Sequence, residues 1–129
     1  MSSRSPWNID QKWLLGLALL FAFYGCGGDP QAKKAAHMQR GKSYLAAGEY
    51  APALIEFRNA VQLAPNDAQA HYQLGLAYLK TGKTADVLTA FRSIKKSVQL
   101  DAGLFEAQLK LGQLHLLGSQ GDSGACTAK

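Results

Sequence analysis

A self-similarity of 34 residues constrains this chain more than anything in its composition. With Lys34–Asp67 written above the stretch from Ala68 onward, Gly41 and Tyr44 recur as Gly75 and Tyr78. Gly48 recurs as Gly82, Phe57 as Phe91 and His37 as His71. A period of that length is the pattern of stacked helical hairpins, because one hairpin cannot bury its apolar face alone and needs a neighbour to cover it. The expected fold class is therefore all-α, a helix-turn-helix solenoid, and the expected activity is binding of a partner.

The punctuation agrees with hairpins. Asp29-Pro30 starts a helix, since Asp accepts hydrogen bonds from the free amides of a first turn and Pro is tolerated there. That helix is expected to run from Pro30 to about Ala47, with Gly48 as its left-handed terminator. Tyr50-Ala51-Pro52 opens a second helix to about Leu63, and Pro65-Asn66-Asp67 stops it. Asp67 then caps a third helix, Ala68 to Lys80, Gly82 ends it, and Thr84 is expected to cap a fourth. The fourth departs from the period. FRSIKKSVQLDAG runs about three residues longer after Phe91 than the first copy does after Phe57, while Val87, Phe91, Ile94 and Val98 keep helical spacing, so the excess reads as an added turn of helix. Lys95 and Lys96 read as its wet side.

These segments resemble tetratricopeptide repeats (TPR). The second copy, HYQLGLAYLKTG, carries His71, Leu74, Gly75, Tyr78 and Gly82; the first carries Gly41, Tyr44, Gly48, Ala53, Phe57, Ala60 and Pro65, with Arg40 where Leu is usual. A third copy begins at Phe105 with Leu111-Gly112, has His115 where Tyr is usual, and stops near Gly118. The resemblance implies about two and a half repeats in a right-handed superhelix: 30–67, 68–103 with the lengthened helix, and a half repeat at 104–117. The tail, 118–129, lacks an apolar period and is expected to be disordered. Arrays generally need about three repeats with a polar cap, so the third half repeat should lack its usual cover, and three sources of the missing layer stay open: a longer array of which this is the start, a partner, or self-association with a second copy.

The start of the chain is of another kind. A weakly basic opening with Arg4 and Lys12 precedes an apolar run from Trp13 to Tyr24, too short for a hydrocarbon core of ~30 Å, which takes ~20 helical residues. The length suits a secretory signal. Its end, Phe23-Tyr24-Gly25-Cys26, resembles a bacterial lipobox; Gly25 and Cys26 fit, whereas Phe23 and Tyr24 depart from the usual Leu and small residue. Three outcomes stay open: lipidation of Cys26 after removal of 1–25, an uncleaved anchor in the inner membrane, or cleavage after Gly27. In the first, residues 26–29 form a short tether spanning at most ~10 Å, which holds the array close to the membrane. Gly27 after the cysteine implies, by the same resemblance, the periplasmic face of the outer membrane. Cys126, far from Cys26 in sequence, reads as an incidental thiol.

No chemistry beyond binding emerges. The net charge of +5 is spread along the helices with no basic stripe, so nucleic acid is not an expected partner. His37, His71 and His115 have no carboxylate or cysteine at ligand spacing, no phosphate loop follows a strand, and no nucleophile has a base, so neither metal, cofactor nor enzyme is expected. The TPR resemblance implies a groove along the inward faces of the first helices. Its residues are Met38, Lys42 and Leu45 in the first repeat and Tyr72, Gln73, Leu76 and Leu79 in the second. Leu109, Lys110, Gln113 and Leu116 complete it in the third. With Met38, Gln73 and Glu106 where a carboxylate clamp wants amides or bases, the lining suits an amphipathic helix or apolar segment, with Tyr72 as the anchor. Packing between repeats would use the same residues.

From leader through "YLAAGEY" to "AQLKLGQLHLLG", the chain looks like the TPR lipoproteins that accompany exopolysaccharide export and PEP-CTERM protein sorting. That resemblance implies a membrane-tethered adaptor of the bacterial cell envelope. A pilus-assembly or outer-membrane-biogenesis lipoprotein resembles it in the same features, and the N-terminal part of a larger TPR protein or enzyme is the further alternative.

Overall fold

The computed structural model describes residues 29–122 and consists there of five helices joined by short turns. They are α1 (Pro30–Ala46), α2 (Tyr50–Leu63), α3 (Ala68–Lys80), α4 (Thr84–Leu100) and α5 (Phe105–Asp122). The leader with Cys26, and Cys126 in the tail, lie outside the described residues.

The caps follow local chemistry. Asp29 Oδ1 accepts from the Gln31 amide at 3.0 Å, and Asp67 Oδ1 accepts from the Ala70 amide at 3.0 Å. Gly48 and Gly82 have φ of 79° and 69°, the left-handed conformation that ends α1 and α3 without a Cβ penalty. At the first of these turns the Glu49 amide reaches back to the Tyr44 carbonyl at 2.9 Å. Thr84, however, does not cap α4. It is the first helical residue, and the turn before it is held by Thr81, whose hydroxyl lies 2.6 Å from Asp86 Oδ2 and accepts from the Lys83 amide at 3.4 Å.

Each hairpin closes on one notch. Gly41 lies under the ring of Phe57, and a Cβ there would stand 2.6 Å from its Cε1; at Gly75 it would stand 2.5 Å from Ile94 Cγ1. The absence of a side chain lets the two helices of a hairpin approach closely, and burying Phe57 or Ile94 stabilises the fold by about 1.5–3 kcal/mol each. These notches correct the expected alignment of the second helices. Ala53, Phe57 and Ala60 are fully buried in α2, and their counterparts in α4 are Ala90, Ile94 and Ser97, also fully buried. The offset is 37 residues, so Ile94 and not Phe91 takes the place of Phe57. α4 has 17 residues against 14 in α2, and the added turn stands at its N-terminal end, Thr84–Asp86, rather than after Phe91.

The same offset carries into α5. His71 Nε2 donates to the Pro65 carbonyl at 2.9 Å, and Gln108 Nε2 donates to the Ala102 carbonyl at 2.6 Å, 37 residues on. Ala70 and Ala107 are both fully buried. One core cluster gathers Phe57, Leu74 and Tyr78 with three alanines between α1, α2, α3 and α4; a second gathers Tyr72, Ile94 and Ala107, flanked by Leu104, Leu111 and Leu114. α5 continues to Asp122, so residues 118–122 of the expected structureless tail are helical, and 123–129 lie outside the described residues. No second helix follows α5 among the described residues, and Gly112, its notch glycine, has nothing within 4 Å of where a Cβ would stand.

Candidate protein-interaction site

The stacking of one hairpin on the next is fixed by polar contacts as well as apolar ones. Lys34 Nζ of α1 donates to Asp67 Oδ2 at 2.6 Å, so one carboxylate caps α3 and ties it to the preceding hairpin. Burial would raise the pKa of Asp67, but the Lys34 ammonium and the Ala70 amide outweigh it, and the net shift is downward. Arg58 of α2 donates to the Tyr78 hydroxyl of α3, Nε at 3.1 Å. Within the first hairpin, His37 Nδ1 meets Glu56 Oε2 at 2.7 Å and Arg40 Nε donates to the same oxygen at 3.1 Å. The Glu56 carboxyl is thereby held below its ordinary value, chiefly by the His37 hydrogen bond, against the upward push of burial. Among the described residues no three His, Cys, Asp or Glu side chains gather as a metal site would need.

The expected groove residues part into two groups. Met38, Leu45, Leu76 and Leu79 are half-buried and pack against the core clusters. Tyr72, expected as the anchor for a partner, is only 6 % exposed and packs with Ile94 and Ala107. The third hairpin's first helix lands on it, and burial, with the nearby Glu106 carboxylate second, pushes its phenol pKa up. Its ring holds repeat to repeat and presents no surface to a partner. Gln73 is half-buried, and Lys42, Leu109, Gln113 and Leu116 are exposed. Lys110 Nζ donates to Gln113 Oε1 at 3.0 Å. The structure brings Leu109, Gln113 and Leu116 together in one depression on α5 and does not join the remaining expected residues to it.

It opens a different one. The C-terminal end of α3, the N-terminal half of α4 and the C-terminal half of α5 enclose an apolar groove of about 750 Å³, lined by Leu79, Val87, Leu88, Phe91, Leu114, His115 and Leu117. Of the expected residues only Leu79 belongs to it. Val87 and Leu88, directly after the added turn of α4, are 44 % and 56 % exposed. Phe91, released from the notch by the 37-residue register, meets the His115 ring edge-on with centroids 5.0 Å apart and forms the floor. The signal in the sequence was the adjacent pair Val87-Leu88, which at the 37-residue offset stands opposite Tyr50 and the small Ala51 of the first copy. The groove offers an apolar lining to an apolar segment, with His115 and Thr84 as its polar margin.

Compared with known families, residues 41–82 match the model of the TPR repeat. No match is found among curated proteins. The matched segment spans the turn between α1 and α2, all of α2 and all of α3, which includes the Gly41–Phe57 notch and both left-handed glycines. The match, the all-helical architecture and the recurring notches agree on a TPR helical solenoid. TPR repeats commonly mediate protein–protein binding, which supports an interaction adaptor in general terms.

Proposed function

We propose that this protein is a membrane-tethered adaptor of the bacterial cell envelope, lipid-modified at Cys26, which captures an amphipathic helix or apolar segment of a partner protein. The observation that carries the binding part is the open groove between α3, α4 and α5. Leu88 and Leu117 stand at its mouth, 56 % and 67 % exposed, and Phe91 lines its floor. Exposed aliphatic side chains over an apolar floor favour a partner that buries one hydrophobic face, and +5 of dispersed net charge offers no comparable patch for nucleic acid.

The tether rests on the sequence: an apolar run too short to span a bilayer, followed by Gly25-Cys26. Among the described residues no helix is long and apolar enough to cross a membrane. With only three residues between Cys26 and Pro30, a lipid on Cys26 would hold the array close to the membrane, and Gly27 after the cysteine favours, by the lipobox resemblance, the periplasmic face of the outer membrane. We assign its service to exopolysaccharide export or PEP-CTERM sorting on the resemblance of leader and repeats.

Two experiments test the two halves. The mature N-terminal peptide isolated from membranes of the native host should begin at a lipid-modified Cys26; an intact Met1 in the soluble fraction would remove the tether. A photo-crosslinker at Leu88 should trap a partner through an apolar segment, and Leu117→Asp should abolish that crosslink without lowering the melting temperature. An undiminished crosslink in the Leu117→Asp variant places binding outside this groove.

A further inference from the structure

The face of α5 that carries Phe105, Leu109, Gly112 and Leu116 adjoins the groove along His115 and Ser119 and carries a second pattern. In α1 and α3 the notch glycine is filled by a bulky side chain with a small residue four positions before it and another three after: Ala53, Phe57, Ala60 over Gly41, and Ala90, Ile94, Ser97 over Gly75. The small residues let the helix carrying them settle against the notch. In α5 the notch at Gly112 is empty, and around it Phe105, Leu109 and Leu116 are 77 %, 67 % and 67 % exposed. Such a face is complete only when a helix with the small-bulky-small pattern lies on it. Residues 1–28 and 123–129 do not contain that pattern, so neither segment supplies the missing piece.

α5 contains it. Gly112, Leu116 and Ser119 repeat the spacing of Ala53, Phe57 and Ala60, and Leu116 borders the same surface depression as Gly112. The corresponding residues of α1 and α3 carry it too, but Leu45 and Leu79 are packed against the core, whereas Leu116 is free. Notch and knob on one exposed face make that face self-complementary, as an isologous contact requires.

We propose that the occupant of this face is a second copy of the chain. Two α5 helices pack antiparallel about a two-fold axis, and Leu116 of each enters the Gly112 notch of the other. In that register Leu109 lies over the partner copy's Ser119 and Gln113 faces its His115, so the apolar centre carries a polar flank on each side. The contact supplies the cover that no described residue gives the exposed face of α5. It borders the groove between α4 and α5 along His115 and Ser119, and it does not rest on the envelope reading.

The test is the mass of the full 129-residue chain in mild detergent by sedimentation equilibrium, for wild type, Gly112→Leu and Leu116→Gln. The Gly112 position has open space within one chain, so leucine there fits the monomer and fills the hole the partner copy needs; Leu116 is exposed, so glutamine removes the knob alone. We expect a wild-type dimer, dissociation raised at least about tenfold in each variant, and helical melts of the dilute monomers no lower than wild type. A wild-type monomer at high concentration overturns the proposal and assigns the face to a helix of another protein. A dimer that both variants leave intact overturns it equally, placing association elsewhere.

Discussion

Gly75→Ala and Gly112→Ala make the same chemical change at equivalent places in successive repeats, and the structure demands opposite outcomes. Alanine in a helix interior is favoured over glycine by about 1 kcal/mol, and that gain is common to both variants. At Gly112 nothing else intervenes, because no atom stands within 4 Å of the new methyl, and the variant should be more stable than wild type by roughly 0.5–1 kcal/mol. At Gly75 the methyl would meet Ile94 Cγ1 at 2.5 Å and the Ala90 carbonyl oxygen at 3.1 Å. Ile94 is fully buried and the carbonyl belongs to the backbone, so neither yields without moving α4 away from α3. Overpacking of this kind costs about 1–3 kcal/mol, and since propensity cancels between the variants, that whole amount separates them. For a domain of this size it corresponds to about 5–20 °C in Tm. The assay is thermal unfolding by far-UV circular dichroism at the lowest usable concentration, where association through α5 does not contribute. A Gly75→Ala variant that melts at or above Gly112→Ala would refute the notch as the element that sets helix approach.

Three further outcomes follow from named contacts. Ser97→Ala should raise Tm by an amount equivalent to about 1 kcal/mol, because the Ser97 hydroxyl is buried without a hydrogen-bond partner where the first repeat has Ala60; a lowered Tm would mean that the hydroxyl is satisfied. Gly82→Ala should lose about 1 kcal/mol in the same melt, since φ of 69° suits glycine alone, and an unchanged Tm would deny the left-handed turn. Asp67 and Glu56 both have depressed carboxyl pKa values in the folded chain, so their contribution to stability is present above the unfolded carboxylate value of ~4 and fades as pH falls through the lower folded values. Denaturant unfolding followed from pH 7 to about 2 should show that acid loss, and Lys34→Met should shrink it by raising the folded pKa of Asp67; an identical acid limb in the variant would show that the 2.6 Å ion pair does not stabilise the fold.

The elements of this fold were legible in the sequence because what starts and stops a helix is local. Asp29 and Asp67 cap by reaching amides two and three residues away, Gly48 and Gly82 end helices by their own backbone freedom, and the recurrence of Gly41 as Gly75 marked the close approaches. Each is a property of a few neighbouring residues, visible without knowing what lies across the interface. The register of the second helices was not of that kind. Phe91 matches Phe57 by letter at 34 residues, while Ile94 matches it by position at 37, and only the space above Gly75 chooses between them.

The candidate site was decided by the same tertiary choice. A turn added before Ala90 puts Ile94 in the notch and leaves Phe91 to the groove beside the exposed Val87 and Leu88, while the arrival of α5 buries Tyr72. Sequence periodicity marks which face of a helix is apolar; whether that face is covered depends on the next hairpin's position, a contact between residues far apart in the chain. Hence the chain by itself determined an all-helical repeat with its caps and glycine notches. Only the stacked structure decided which apolar residues hold it together and which, on α4 and α5, stay free to meet something else.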